Sequence, residues 1–379
     1  MFFAVNKTYI YRKDAAIMYI HQRKDWTKFT WDAEVITPLL GQVRHRQGKI
    51  LGVMQGLGFR LQEETVLKTL TLDVVKSSEI EGEQLNPEQV RSSIARRLGI
   101  EIAGAVPAER NVEGVVEMLL DATQRYDDKL TDDRLFGWHA ALFPTGRSGM
   151  YKIKTAAWRD DAMQVTSGPM GKETVHFEAP SADKVPAEMD LFLDWFNSSQ
   201  DIDPVLKAAF AHLWFVTIHP FEDGNGRITR AITDMQLARA DQSKQRFYSM
   251  SAQIQADRNN YYEILESTQK GDLDITPWLE WFLKCLLHSM AQTDETIFLT
   301  LKRTQFWETH RTKDFNPRQQ KILQLLLDDF FGKLTVSKYA KITKVSNDTS
   351  LRDIQDLMSK GILAQEGSGR STSYMFVSF

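Results

Sequence analysis

Cysteine is almost absent: Cys285 is the single thiol in 379 residues. That excludes an internal disulfide and any CxxC-type metal site, and it fits a reducing, cytoplasmic setting. A dominant charge is lacking too. Lys and Arg number 47 against 50 Asp and Glu, a net charge of −3, so no global field draws the chain to nucleic acid or an anionic membrane. No charge-free apolar run approaches the ~20 residues of a membrane span. The nearest, Trp278–Met290, is interrupted by Glu280 and Lys284. The opening residues lack the apolar core of a signal peptide. Repeats and low-complexity tracts are missing, and alternating strand patterns are scarce.

Helical periodicity fills the space these absences leave. Apolar residues recur at Ile36, Leu39, Leu40, Val43, Ile50, Leu51 and Met54, one helical stripe within 31–57. A second helix is expected over Phe59–Ile80, and a third after Asn86, an N-cap with Pro87 at the first helical position. Residues 112–143 carry a helical pattern, as do Val185–Phe196, Pro204–Ile218 and the segment from Arg227, with Ile228, Ile232, Met235 and Leu237 on one side. Met163–Pro180 differs, with two β-prone arms around Gly168, Pro169 and Gly171, the pattern of a hairpin. The expected class is mainly α-helical.

Between two helical stretches lies HPFEDGNGRITR, His219 to Arg230. Pro220 ends the first helix because it has no N–H to donate. Gly224, Asn225 and Gly226 permit left-handed backbone, and amides at a glycine-rich helix start form a nest for anions. Arg227 and Arg230, three apart, share a helix face and suit bidentate contacts with phosphate. Asp223, ahead of Glu222, offers one carboxylate oxygen to magnesium. His219 has the basicity to take a proton from a hydroxyl. No GxxxxGK[ST] and no GxGxxG after a strand exists, so the common phosphate loops are excluded. These parts suit attack of a hydroxyl on a nucleoside triphosphate with magnesium, where catalysis is positioning and charge stabilisation.

The same twelve residues match in full the HxFx[DE]GNGRxxR signature of the Fic family, whose members move AMP from ATP onto protein hydroxyls. The resemblance extends over roughly residues 70–290. It implies a helical bundle with a β-hairpin flap and His219 as general base. Asp223 would hold Mg2+ or Mn2+. Gly224, Asn225 and Gly226 would cradle phosphates, and Arg227 and Arg230 would bind the β- and γ-phosphates. Tyr262 would line the base pocket. The flap, 163–180, would hold a protein target by strand addition. Kinase-like Doc relatives carry lysine at the second glycine; here Gly226 is intact, which favours AMP transfer.

A second segment, SSEIEG, reads by itself as a helix end with Gly82 as its cap. It also matches the family's [S/T]xxxE[G/N] inhibitory motif through Ser77, Glu81 and Gly82. By that resemblance Glu81 pairs with Arg230 and occupies the γ-phosphate position. Such a bond, worth ~1.5–3 kcal/mol, would restrain activity about tenfold to a hundredfold. His139 and His212 lie in apolar helical stretches and read as structural.

From about Asn316 the order helix, helix, helix, hairpin resembles a winged helix-turn-helix. Residues 311–379 hold eleven Lys and Arg against seven Asp and Glu. The expected recognition helix, Asn347–Lys360, nonetheless carries Asp348, Asp353 and Asp356, poor for phosphate contact. DNA is therefore a disfavoured partner beside protein docking. The expected organisation is 1–100, an N-terminal helical region with the inhibitory motif; 101–312, the Fic domain; and 313–379, the winged helix. The expected function is autoinhibited AMP transfer from ATP to a Ser, Thr or Tyr hydroxyl of a target and of the chain itself. The alternatives are an AMP-removing hydrolase on the same site and a nucleotide-sensing DNA-binding regulator. No membrane partner is expected, and a homo-oligomer is compatible with the sequence.

Overall fold

The computed structural model describes residues 4–5, 18–56, 58–102, 104–168, 172–199, 201–328, 333–369 and 372–377. They form two compact units, Met1–Thr293 and Asp294–Phe379. The first unit opens with a short strand β1 (Ala4–Val5) and a 3-10 turn (Ile20–Gln22). Helices α1 (Ala33–Gln55), α2 (Phe59–Ile80), α3 (Pro87–Leu98), α4 (Arg110–Gln124) and α5 (Asp132–Leu142) follow. Two hairpins come next, β2 (Arg147–Ser148) with β3 (Tyr151–Lys152), then β4 (Gln164–Ser167) with β5 (Thr174–Glu178). The unit continues through α6 (Val185–Asn197), α7 (Pro204–Ile218), α8 (Asn225–Asp241), α9 (Met250–Ala256) and α10 (Arg258–Gln269). The division between units falls inside α11 (Thr276–Thr309). The class is mainly helical, as the periodicity predicts.

Local chemistry sets many boundaries. Asp32 caps α1, its side chain accepting from the Glu34 N–H, and Asn86 caps α3 by accepting from Glu88 and Gln89. The helical pattern over 112–143 is two helices, because α4 ends near Arg125 and the Thr131 side chain caps α5 by accepting from the Arg134 N–H. These two helices approach closely at Gly114, where an added Cβ would lie 1.8 Å from the Ala141 carbonyl oxygen.

α7 and α8 pack together at the centre of the unit, with α2, α4 and α5 against α8 and α6 against α7. Every residue of α7 from Val205 to Ile218 is buried, as befits a helix apolar all round. α8 departs from the one-sided stripe: from Arg227 to Ala238 it is buried on every face. Beyond its two arginines, its polar side chains find partners in the core. Thr229 and Thr233 donate to carbonyls one turn back, Gln236 donates to the Pro204 carbonyl, and Asp234 accepts from buried Arg246 at 3.1 Å.

The strands β1, β4 and β5 form one antiparallel sheet in that order, with a register shift between Val165 and Thr166. The β4–β5 hairpin is the expected flap. Gly168 leaves it at φ +106, while Pro169 and Gly171 of the expected turn lie outside the described residues.

The second unit contains α12 (Pro317–Asp328), α13 (Val336–Thr343), α14 (Asn347–Ser359) and the hairpin of β6 (Leu363–Glu366) with β7 (Ser373–Phe376). Ile322, Leu323, Tyr339, Ile354 and Leu357 centre its core. Asp353 turns inward: it accepts from Arg318 at 2.7 and 3.0 Å, from Asn316 at 2.9 Å and from the Tyr339 hydroxyl at 3.0 Å. It is therefore a core anchor and not one of the surface acids of α14. Among the described residues, no helix is long and apolar enough to cross a membrane.

Candidate active site at the α7–α8 loop

The turn between α7 and α8 is built by backbone that few residues tolerate. His219 closes α7 in the left-handed region at φ +52, and Gly224 opens α8 at φ +81. A Cβ on Gly224 would meet Phe143 at 2.9 Å. Asn225 is buried, and its side chain closes the loop on itself. Its Oδ1 accepts from the Phe221 N–H at 2.9 Å and its Nδ2 donates to the Phe221 carbonyl at 2.8 Å. Its side chain thus shapes the loop. Phe221 is fully buried, stacked on His139 with centroids 4.3 Å apart. His139 in turn accepts from the Ala156 N–H at Nδ1 and so donates from Nε2 to the Asp223 carbonyl at 3.1 Å. Burial lowers the His139 pKa to about 4, which keeps it a neutral brace under the loop.

His219 is half-buried and faces the same cleft as Asp223, Gly226, Arg227 and Tyr262. Its Nδ1 lies 3.1 Å from the Val216 carbonyl, which accepts a proton only, so Nδ1 carries the hydrogen and Nε2 keeps its lone pair. Burial, with the Arg159 cation nearby, holds the His219 pKa down to about 4. The imidazole is therefore an unprotonated base at neutral pH.

The two arginines meet carboxylates delivered by the end of α2. Arg230 is 3% exposed. It donates from Nε to the Ser77 hydroxyl at 2.8 Å, and from Nη2 to the Ser77 carbonyl at 2.8 Å and to Glu81 Oε1 at 2.9 Å. Burial opposes its charge, yet Glu81 and the neighbouring Tyr261 and Tyr262 leave its pKa raised. Gly82 follows at φ +83, a turn that favours glycine and swings Glu81 over the loop. A Cβ on Gly226 would lie 2.0 Å from Glu81 Oε1. The carboxylate thus rests against the bare backbone of α8's first turn, an anion's place. α2 is held there by Asp73, which accepts from the Ser249 hydroxyl and, at 3.2 Å, from the Ser251 N–H.

Sequence reasoning missed a second pair. Glu83 accepts from Arg227 Nη1 at 2.7 Å and from Asn111 at 3.3 Å, while the Arg227 guanidinium lies 5.1 Å above the Phe143 ring. Even so, Arg227 Nε and Arg230 Nη1 are buried with no hydrogen-bond partner among the described residues. A buried cationic N–H without an acceptor is costly, and both belong to a cleft whose chemistry invites anionic oxygens.

Asp223 accepts from the Gly224 N–H at 2.5 Å through Oδ1 and from the Ser148 hydroxyl through Oδ2. It presents one carboxylate to the cleft, the donor set magnesium takes beside phosphate oxygens. Glu222 looks elsewhere. It accepts from the Lys154 N–H, and its oxygens cluster with those of Asp160 and Asp161 within 4.8 Å. Tyr262 lines the cleft beneath Arg258, whose guanidinium lies 5.5 Å from its ring. His212 is deeply buried, bonded to Thr233 at 2.9 Å and to the Tyr261 hydroxyl at 3.0 Å, a structural histidine. In the flap, His176 lies 2.6 Å from the Ser167 hydroxyl and 2.7 Å from Glu266 Oε2, tying the hairpin to α10.

A buried helix pair joined by a glycine turn thus brings a neutral imidazole, a carboxylate and two guanidiniums to one cleft, groups able to meet phosphate oxygens. Residues 129–237 match the family model described as Fic/DOC family, and residues 19–100 match one described as a domain of unknown function (DUF4172). The stretch 129–237 is thus similar to Fic/DOC-family domains. Among curated proteins it resembles "Protein adenylyltransferase Fic" of Nematostella vectensis, 34% identical over 108 residues, 28% of this chain and 23% of that protein. The Drosophila willistoni protein of the same name is 36% identical over 118 residues, 31% of this chain and 21% of that protein. The chain thus spans less than a quarter of the length of these relatives. Its fold is like that of a Fic family protein from Desulfovibrio desulfuricans G20, with TM-score 0.53 and 20% identity over 92% of this chain and 98% of that one.

Proposed function

We propose that this protein is an autoinhibited adenylyltransferase that moves AMP from ATP to a hydroxyl on a protein. The observation that carries the reading is the Glu81 carboxylate bound to Arg230 against Gly226, beside guanidinium N–H groups that lack acceptors. A γ-phosphate would bring such acceptors, and Glu81 stands in its place. The similarity to proteins named as adenylyltransferases supports AMP as the transferred group.

In the reaction, a Ser, Thr or Tyr oxygen attacks the α-phosphorus. The new O–P bond forms as the bond to the bridging oxygen of the β-phosphate breaks, and pyrophosphate leaves. His219 Nε2 takes the hydroxyl proton, since Nδ1 is committed to Val216. Arg227, Arg230 and the amides of Gly224 and Gly226 hold the phosphate charge. Mg2+ or Mn2+ held by Asp223 would neutralise phosphate charge there. Tyr262 and Arg258 line the end of the cleft suited to the base. The flap presents the target by backbone pairing, with little demand on side chains.

The restraint has two carboxylates. Glu81 takes Arg230 and Glu83 takes Arg227, both from the turn after α2, so ATP must displace both to reach a productive pose. The second unit, read as a winged helix, is a docking module: α14 exposes Arg352 but keeps Lys360 engaged with Asp356 and the Asp314 carbonyl. Gel shift at moderate salt is expected to show no DNA complex.

The test incubates wild type, Glu81→Gly and His219→Ala with magnesium and α-labelled ATP, and counts label on protein. Label should rise about tenfold to a hundredfold in the glycine variant and vanish in the alanine variant. Label absent from all three despite ATP binding would overturn the reading.

A further inference from the structure

Arg159 lies in the irregular stretch between β3 and β4, outside every motif of the site, yet it is 2% exposed. Among the described residues its guanidinium meets no carboxylate. It spends its donors on main-chain carbonyls: Nε to His219 at 2.8 Å, Nη1 to Asp161 at 2.7 Å, and Nη2 to Pro180 at 2.5 Å and Ile218 at 3.4 Å. Its own N–H donates to the Pro220 carbonyl at 2.9 Å. A buried cation paired only with carbonyls is expensive to keep, and burial alone pulls its pKa down to about 10. The carbonyls explain the placement. Ile218 and His219 lie at the negative end of α7, where a cation is favoured, Pro220 lies just beyond it, and Pro180 follows β5.

His219 itself is a non-glycine residue at φ +52 and ψ +58. Such backbone is strained and persists only where its surroundings over-determine it. On the helix side, the His219 N–H donates to the Phe215 carbonyl at 3.0 Å and Nδ1 to Val216. On the loop side, Arg159 holds the carbonyls of both His219 and Pro220.

We propose that Arg159 is the positioning residue for the general base: its planar fork fixes the left-handed His219 peptide and ties the end of the flap to it, so that base and target are held in one frame. Through this clamp the Nε2 lone pair keeps its direction, and the flap cannot shift without the histidine. Placement of this kind matters steeply, since an error of about 1 Å can cost on the order of a hundredfold in rate. The inference rests on the adenylyl-transfer reading for its kinetic consequence, though not for its geometry.

The test uses the full chain carrying Glu81→Gly as parent, with Arg159→Lys and Arg159→Gln added. Lysine keeps the charge and loses the fork; glutamine loses the charge and keeps two donors. Both variants are expected to bind ATP within about twofold of the parent while the rate of self-labelling at saturating ATP falls at least about tenfold. Ring 15N spectra of His219, assigned with His219→Ala, should show the single Nδ1–H form in the parent and a mixture of tautomers in both variants. Unchanged labelling and an unchanged ring spectrum in Arg159→Lys would overturn the proposal, as would a loss confined to ATP affinity. If one variant fails to fold, the other is read by the same criteria. A parent that incorporates no label would fail the transferase reading, while the ring spectra would still decide the clamp.

Discussion

At Gly226 the bare backbone leaves room that a methyl group would take. The Glu81 carboxylate occupies the space a Cβ would need, 2.0 Å away. Gly226→Ala therefore pushes Glu81 off Arg230, but it also crowds the surface on which phosphates would lie. The expected outcome is a variant that is neither restrained nor active. Its labelling stays at or below wild type, and adding Glu81→Gly does not raise it. Labelling that rises to the level of Glu81→Gly alone would place the phosphates away from this turn. Asn225 teaches a related point. Its amide is spent on Phe221, so it acts by shaping the loop, and substitution there should collapse the turn before it weakens any ligand contact.

The proposed restraint belongs to the turn after α2. α2 ends at Ile80, Gly82 turns left-handed, and Glu81 and Glu83 come to face the two arginines of α8. Glu83 and Glu81 are each about a third exposed at the side chain, so both bonds are partly screened; what sets Glu81 apart is that its carboxylate also rests against Gly226. Glu83→Gln should raise self-labelling severalfold at most, less than Glu81→Gly. The double variant should exceed the product of the single effects, because either carboxylate alone still obstructs the phosphates. Labelling in Glu83→Gln equal to wild type, with a double variant no more active than Glu81→Gly, would reduce Glu83 to packing. Periodicity gave α2, α3, α6 and α7 nearly to the residue: prolines stand in the first turn of α3, α6 and α7, and Gly58 and Gly82 flank α2. It found α8 as a helix but not its burial on every face, because the polar residues there sit in the core beside the apolar stripe.

Across the whole molecule the buried histidines link stability to pH. Burial lowers His139 to about 4, His212 to about 3 and His219 to about 4, against about 6.5 in an unfolded chain. In the fold these rings stay neutral. As pH falls below about 6.5 the unfolded chain takes up protons that the folded chain refuses, so stability is full above that pH and declines toward about 4. Between pH 7.5 and 5.5 the loss should be about 1 kcal/mol for each of the fully buried His139 and His212. Urea midpoints at the two pH values check this. A flat midpoint would mean that these rings protonate freely in the fold.

The sequence alone grouped the candidate residues of the loop, because His219, Asp223, Gly224, Gly226, Arg227 and Arg230 fall within twelve residues and their spacing carries their relation. It also determined most helix boundaries, which depend on caps, proline and apolar period over a few residues. Only the tertiary structure decided which distant groups complete the site. Glu83 reaches Arg227 across 144 residues, His139 braces a peptide 84 residues away, and Arg159 grips His219 across 60. No local pattern marks such residues, because a glutamate, a histidine or an arginine reads the same on a solvated face as under an active site. Burial and the partner brought by chain topology separate the two cases, and both exist only once the chain has folded.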